Sequence, residues 1–239
     1  MKLSSRGFES LVFAAMLTLA AVSPTSADIQ DFGGYPAGTR VATDEGGLPL
    51  WPDFTITKVV NNNGPDVAII FDSLRPTGGD WDLGSPNVDF GGLGMGAGGG
   101  SGQPGENSRP LGNLIIIAEN VADANGNGLV DDPDDDDDGG CITIEFDPGV
   151  IPLAITLIDV DEETAVIAVE ADGVVVTVDA TLPGDNAVKT LDLQGLGTGL
   201  RRVEVCFSHS GGIAEIEYSP GTTSLTEGTW GAVKGRYRE

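Results

Sequence analysis

The sequence predicts an all-β fold: a single β-sandwich of jelly-roll type, with about ten strands and long Gly-rich and Asp-rich loops. Three observations predict it. Short runs rich in Val, Ile, Thr and Phe recur between clusters of Gly, Pro, Asp and Asn. No stretch beyond the first residues keeps a 3.6-residue apolar period over ten positions. The chain holds 36 glycines, which asks for many turns.

The strand-like runs fall at 54–60, 67–71, 113–119, 141–146, 151–160, 164–170, 174–178, 188–193, 202–208 and 212–218. The sharpest local unit is TAVIAVEADGVVVTVDA. Asp172-Gly173 stands there between two β-branched runs, the two-residue hairpin signal, because both positions tolerate positive φ. Three regions read as loops: 76–110, with GGLGMGAGGGSGQPG; 122–140, rich in Asp and Gly; and 219–228, rich in Ser, Thr and Gly. The glycine run is expected to lie over the surface with its backbone hydrated.

The first residues have the order of a secretory leader. Lys2 and Arg6 precede the apolar stretch from Leu11 to Val22, and Pro24 and Thr25-Ser26-Ala27 follow it. The expected organisation is a leader over 1–27 cut before Asp28, one β-sandwich domain over 28–218, and a linker with a short tail over 219–239. The expected location is secreted, extracellular or cell surface, with the periplasm as an alternative. No other apolar run is long enough to span a bilayer.

The formal net charge is −25, from 37 acidic and 12 basic residues. Loss of the leader would make it one unit more negative. Such a balance excludes nucleic acid and anionic membranes as expected partners, since both require a basic footprint. It favours divalent cations. Between Pro110 and Val188 there is neither Lys nor Arg.

In DANGNGLVDDPDDDDDGG, the residues Asp123, Asn125, Asn127 and Gly128 reproduce the D-x-[DN]-x-[DN]-G opening of a calcium loop. Oxygen ligands fall on alternate residues, and glycine occupies the sharp turn. Leu129 stands where the loop uses a backbone carbonyl, Asp131 at the ninth position and Asp134 at the twelfth. Asp replaces the longer twelfth-position Glu, and the flanks read as strands, so this is a calcium loop set between strands. Seven of the eight residues from Asp131 to Asp138 are aspartate. Two carboxylates ~6 Å apart repel by roughly 0.7 kcal/mol in water, and one divalent cation removes that cost. The metal ligands expected are therefore Asp123, Asn125, Asn127, Leu129, Asp131 and Asp134, with calcium as the cofactor. Asp72, Asp80 and Asp82 form a second oxygen-rich stretch, which ordinary turn chemistry explains nearly as well.

Cys141 falls on the polar phase of CITIEF, and Cys206 on the polar phase of RVEVCFS. In an exported chain with two cysteines, this predicts a disulfide on a shared outer face. Gly94-x-Gly96-x-x-Gly99 matches a dinucleotide fingerprint by letter but has no entering strand or leaving helix. His209 lies between Ser208 and Ser210 without a nucleophile elbow. No catalytic residue is assigned.

The series DFGGYPAGT, AIIFDSLRPTGGDWDLGSPN, GNLIIIAEN, DDPDDDDDGG, ITIEFDPGVIPLAITLIDVDE and PGDNAV resembles a group of bacterial secreted or surface domains. Some of these carry C-terminal sorting signals of the PEP-CTERM type. The resemblance implies an extracellular β-sandwich with the architecture of carbohydrate-binding modules. The chain lacks the Pro-Glu-Pro, hydrophobic span and basic tail of the sorted members, so anchoring by that route is not expected. In the tail TWGAVKGRYRE, Trp230, Val233 and Tyr237 carry the apolar character, and Lys234, Arg236 and Arg238 the charge.

The expected function is a non-catalytic secreted or cell-surface module stabilised by calcium, binding glycan or matrix. The alternatives are a purely structural or adhesive surface protein and a carboxylate-dependent hydrolase. Tyr35, Trp51 and Trp81 discriminate: exposed together they would favour glycan, and buried they would favour the structural reading.

Overall fold

The computed structural model describes residues 27–43, 46–47, 50–160, 166–171, 173–180, 184–197 and 199–221. The leader up to residue 26 and the tail from 222 lie outside the described residues, as does Asp172 of the expected hairpin turn. The strands are β1 (Asp28–Gln30), β2 (Arg40–Thr43), β3 (Gly46–Gly47), β4 (Phe54–Asn61), β5 (Ala68–Asp72), β6 (Asn113–Ile117), β7 (Gly140–Ile158), β8 (Val166–Ala171), β9 (Val174–Asp179), β10 (Val188–Asp192), β11 (Leu200–Phe207) and β12 (Gly212–Ser219). The fold is all-β, as the sequence predicts. Its only described helical turns are two 3-10 segments at Trp81–Leu83 and Val88–Phe90.

The strands join in the order β3-β2-β5-β6-β12-β7-β11-β8-β9, with β1 on β12 and both β10 and β4 on β7. All strand pairs are antiparallel. The ten expected strands become nine here, because 141–146 and 151–160 are one 19-residue strand. Asp147-Pro148-Gly149 reads as a turn in sequence, yet the chain continues through it and changes neighbours. Before it β7 pairs with β4 and β11; after it, apart from Val150 opposite Leu200 of β11, it pairs with β10 and β12. The β8–β9 hairpin forms with Ala171 opposite Val174, so the loop has the two residues that Asp-Gly signals. The strands β1 to β3 carry too little β-branched pattern to be read from sequence.

The alternation of β5, β6 and β12 explains why AIIFD and NLIII are nearly continuous apolar runs. Ala68, Ile70, Ile115, Ile117, Ile213 and Ile216 face a large core shared with Ile56, Ile142, Ile144, Val203 and Val205 of the other ladder. Ile69, Phe71, Leu114, Ile116 and Ala214 face the opposite way, into a second core closed by Leu83, Leu111 and Val130. Leu83 ends the first 3-10 segment, and Leu111 and Val130 come from loops. Buried on both faces, these strands lose the polar phase of a half-exposed strand.

The loops that cover this second face are the Gly-rich and Asp-rich segments. The expectation of a hydrated surface loop is corrected here. Gly98, Gly99 and Gly100 are buried, and a Cβ on Gly99 would stand 2.3 Å from the Asn186 carbonyl oxygen. Only glycine permits so close a backbone approach. The fastening is polar: Asn87 Nδ2 donates to Asn186 Oδ1 at 2.8 Å, Asn107 Nδ2 donates to the same oxygen at 3.1 Å, and Asn186 Nδ2 donates to the Gly84 carbonyl at 2.7 Å.

Cys141 and Cys206 are register partners on β7 and β11, and they form a disulfide with a Cα–Cα separation of 4.0 Å. Closing a loop of 65 residues is worth about 4 kcal/mol in the chain-entropy account. Among the described residues no helix is long and apolar enough to cross a membrane.

Candidate metal centre

The acidic run is not a free loop. Ala118 and Asp135 form an antiparallel bridge. Glu119 N–H donates to the Asp134 carbonyl at 3.0 Å, and Asp136 N–H to the Ile117 carbonyl at 3.1 Å. The run therefore doubles back along the end of β6. Asp135 and Asp136 are both buried there, each 5% exposed. Gly139, at φ 65°, then turns the chain into β7.

A second loop meets the run. Gly78 N–H donates to Asp132 Oδ1 at 2.9 Å, and Thr77 Oγ1 to the Pro133 carbonyl at 2.8 Å. These contacts bring Asp80 onto the run, where its Oδ2 accepts the Asp135 N–H at 2.9 Å. Carboxylate oxygens of Asp80, Asp134 and Asp135 lie within 4.8 Å of one another.

Electrostatics make the cluster costly without a counter-ion. Burial, then the hydrogen bond to Asp134 and the charge of Asp135, push Asp80 up to about 10. Burial pushes Asp135 up to about 7, against hydrogen bonds from Gly211 N–H and the Ser210 hydroxyl. Burial also raises Asp82, and the hydrogen bond with Asp134 raises Glu119. One detail makes the same point from geometry. Ser210 Oγ lies 2.8 Å from Asp135 Oδ2 and 2.8 Å from Asp159 Oδ2, and both acids are buried. A hydroxyl has one hydrogen to donate, so one of the two acids must itself supply a proton or share a cation. The set of hard oxygen donors suits calcium or magnesium rather than a soft metal.

The six sequence-predicted ligands divide between two places. Asp123, Asn125, Asn127 and Asp131 share one turn. Asp123 accepts Asn127 N–H at 3.0 Å and Gly128 N–H at 2.9 Å. Asn125 Oδ1 accepts Asn127 N–H at 2.9 Å, and Asp131 Oδ2 accepts Ala124 N–H at 2.7 Å. Asn125 Nδ2 donates to Asp131 Oδ1. Leu129 enters through its N–H, which donates to Asn127 Oδ1 at 2.8 Å. Asp134 faces the other loop, with Asp80 and Asp135. Of the second stretch, Asp80 alone joins this cluster. Asp72 accepts Leu74 N–H and the Arg75 guanidinium, each at 3.0 Å, and Asp82 accepts Leu83 N–H.

Sequence reasoning left out Asp135 and grouped Asp80 with Asp72 and Asp82, whereas the structure brings Asp80 to Asp134 and Asp135. The run of aspartates marks the place, but the strand phase of residues without apolar neighbours is unreadable. The available signal was Ala118, a small residue ending NLIII, across from which a returning strand can bury an acid.

The remaining candidates are placed as follows. Trp51 is 6% exposed and stacks on Phe54 at 4.9 Å, with Phe32 and Tyr35 at its edges. Trp81, between Asp80 and Asp82, is 45% exposed. His209 Nδ1 lies 3.1 Å from the Asp137 carbonyl. Gly94, Gly96 and Gly99 close on Gly84, Asp185 and Asn186, as glycines of a tight loop contact.

Comparison with models of known protein families finds no match for this chain, and comparison with curated proteins finds none.

Proposed function

We propose that this chain is a non-catalytic β-sandwich module, exported to an extracellular or cell-surface setting, whose acidic end is stabilised by calcium. The observation that carries the reading is the convergence of Asp80, Asp134 and Asp135 from two loops onto one partly buried point. Three carboxylates so placed repel unless protons or a cation intervene. A hard divalent cation answers that need, with carbonyls or water completing its six to eight oxygens. The turn at Asp123, Asn125, Asn127 and Asp131 is a second, more exposed candidate for the same ion. Export is supported by the Cys141–Cys206 disulfide, which belongs to oxidising compartments, by the leader-like first residues, and by the resemblance to exported bacterial domains.

Within this reading a structural or adhesive role is favoured over glycan binding. Two of the three discriminating aromatics, Tyr35 and Trp51, serve the main core. Trp81 alone keeps an exposed face, so a glycan reading rests on it and on the neighbouring aspartates. Thermal unfolding in calcium against chelator tests the proposal. A melting temperature that rises with calcium supports it, and one that is indifferent at millimolar levels refutes it. A glycan array with and without calcium separates the two roles: calcium-dependent hits lost in Trp81→Ala establish the glycan reading, and none establishes the structural one.

A further inference from the structure

Among the described residues, charge pairing is systematic for arginine, with one exception. Arg75, Arg109, Arg201 and Arg202 each hold a carboxylate, on Asp72, Glu215, Asp147 and Glu204. Arg40, on β2, pairs with none among the described residues. Its Nη2 donates to the Val121 carbonyl at 2.9 Å, and its Nε is buried with no acceptor. An uncompensated guanidinium is costly where it is half-buried. In a chain with 37 acidic residues, a counter-ion would be easy to provide.

Arg40 lines a cleft of about 540 Å³, together with Asn61, Pro65, Asp66, Val67 and Val121. The Asn61–Val67 part of the lining is held in place. Asn61 Nδ2 donates to the Ala118 carbonyl at 2.9 Å, and Asn61 Oδ1 accepts Asn63 and Gly64 N–H at 2.8 and 2.6 Å. Asp66 Oδ1 accepts Asn61 N–H at 2.8 Å, while its Oδ2 has no protein partner among the described residues. The cleft is thus lined by a guanidinium with no carboxylate partner among the described residues, its Nε shielded from solvent, by the exposed Asp66 carboxylate with a free oxygen, and by the short apolar side chains of Pro65 and Val67.

We propose that this cleft binds a small zwitterion of amino-acid or dipeptide type. Its carboxylate faces Arg40, and its ammonium group faces Asp66. A zwitterion is favoured over a simple anion by the charge of the whole molecule. The protein carries −25, so a net anion approaches against its field, whereas a ligand of zero net charge does not. A simple cation would leave Arg40 unpaired. The volume accommodates a ligand of this size. The cleft lies on the Asn61–Val67 turn and does not depend on the metal reading.

The test is an NMR titration of the whole ¹⁵N-labelled protein, following the Arg40 Nε–H and nearby amides. The probe is glycyl-leucine, with acetate and ethylamine as single-charge controls. The expected result is a saturable shift with the dipeptide, at about tenfold higher affinity than either control. Arg40→Gln should weaken binding by about tenfold or more. Because Arg40 also ties down Val121, Asp66→Asn provides a second reading: it keeps an acceptor for Asn61 N–H and should still weaken the dipeptide several-fold. Three results would overturn the proposal: no saturable shift up to about 50 mM dipeptide, acetate binding as tightly as the dipeptide, or undiminished binding in folded Asp66→Asn.

Discussion

The turn at 123–131 and the cluster of Asp80, Asp134 and Asp135 are both rich in side-chain oxygens, yet they behave differently. In the turn, the side-chain oxygens find donors a few residues away, backbone N–H groups and, for Asp131 Oδ1, the Asn125 amide, and water reaches Asn125, Asn127 and Asp131. In the cluster, carboxylates meet one another with one of them buried. A local motif can satisfy itself. A meeting of two distant loops cannot, and on the proposed reading a cation has its larger effect on stability there.

The disulfide gives the largest expected change and separates global stability from the two acidic regions. Replacing Cys141 and Cys206 by alanine should cost about 4 kcal/mol while leaving any calcium-induced rise in melting temperature intact. Loss of that rise would tie the cluster to the β7–β11 ladder. Next in size is calcium itself. Binding to the native state alone adds about 2.7 kcal/mol at a hundredfold excess over Kd, a rise of roughly 5–10 °C for a domain of this length, read by calorimetry against chelator.

The pH profile of the metal-free protein sharpens the contrast. Asp80 and Asp135 both hold a proton more tightly folded than unfolded, so the stabilisation they give is complete below their ordinary value of 3.8. It declines as pH rises through about 7 for Asp135 and toward about 10 for Asp80. Melting temperature without calcium should therefore fall from pH 5 to pH 8 on account of these groups, and calcium should flatten the slope. Asp80→Asn, which imitates the protonated acid, should also flatten it. An equally steep fall in Asp80→Asn would place its origin elsewhere. The smallest effect is expected in the exposed turn. Asp123→Ala with Asn125→Ala should cost about 1 kcal/mol or less and leave most of the calcium response, because water can replace the lost acceptors. Abolition of the response would move the principal site to the turn.

Legibility in the sequence followed the same division. Strands with clear alternation, such as 202–208 and 212–218, were readable, and so was the shared phase of Cys141 and Cys206. The calcium-like opening was readable because its spacing is local. The continuity of β7 was not, because Pro148 and Gly149 carry turn signals that the neighbouring strands override. Nor was the burial of the glycine run, since that depends on Asn87, Asn107 and Asn186 meeting across the fold. Asp80 and Asp135 lie 55 residues apart, and no spacing rule joins them.

Isothermal titration of calcium into the metal-free wild type and into Asp80→Asn, in buffers of different ionisation enthalpy, tests the central claim most directly. On the proposed reading, calcium displaces the protons that the cluster holds near neutral pH. The wild type should show saturable uptake accompanied by proton release, and Asp80→Asn should lose most of both. No saturable uptake at millimolar calcium, or uptake unchanged in Asp80→Asn, would contradict the account.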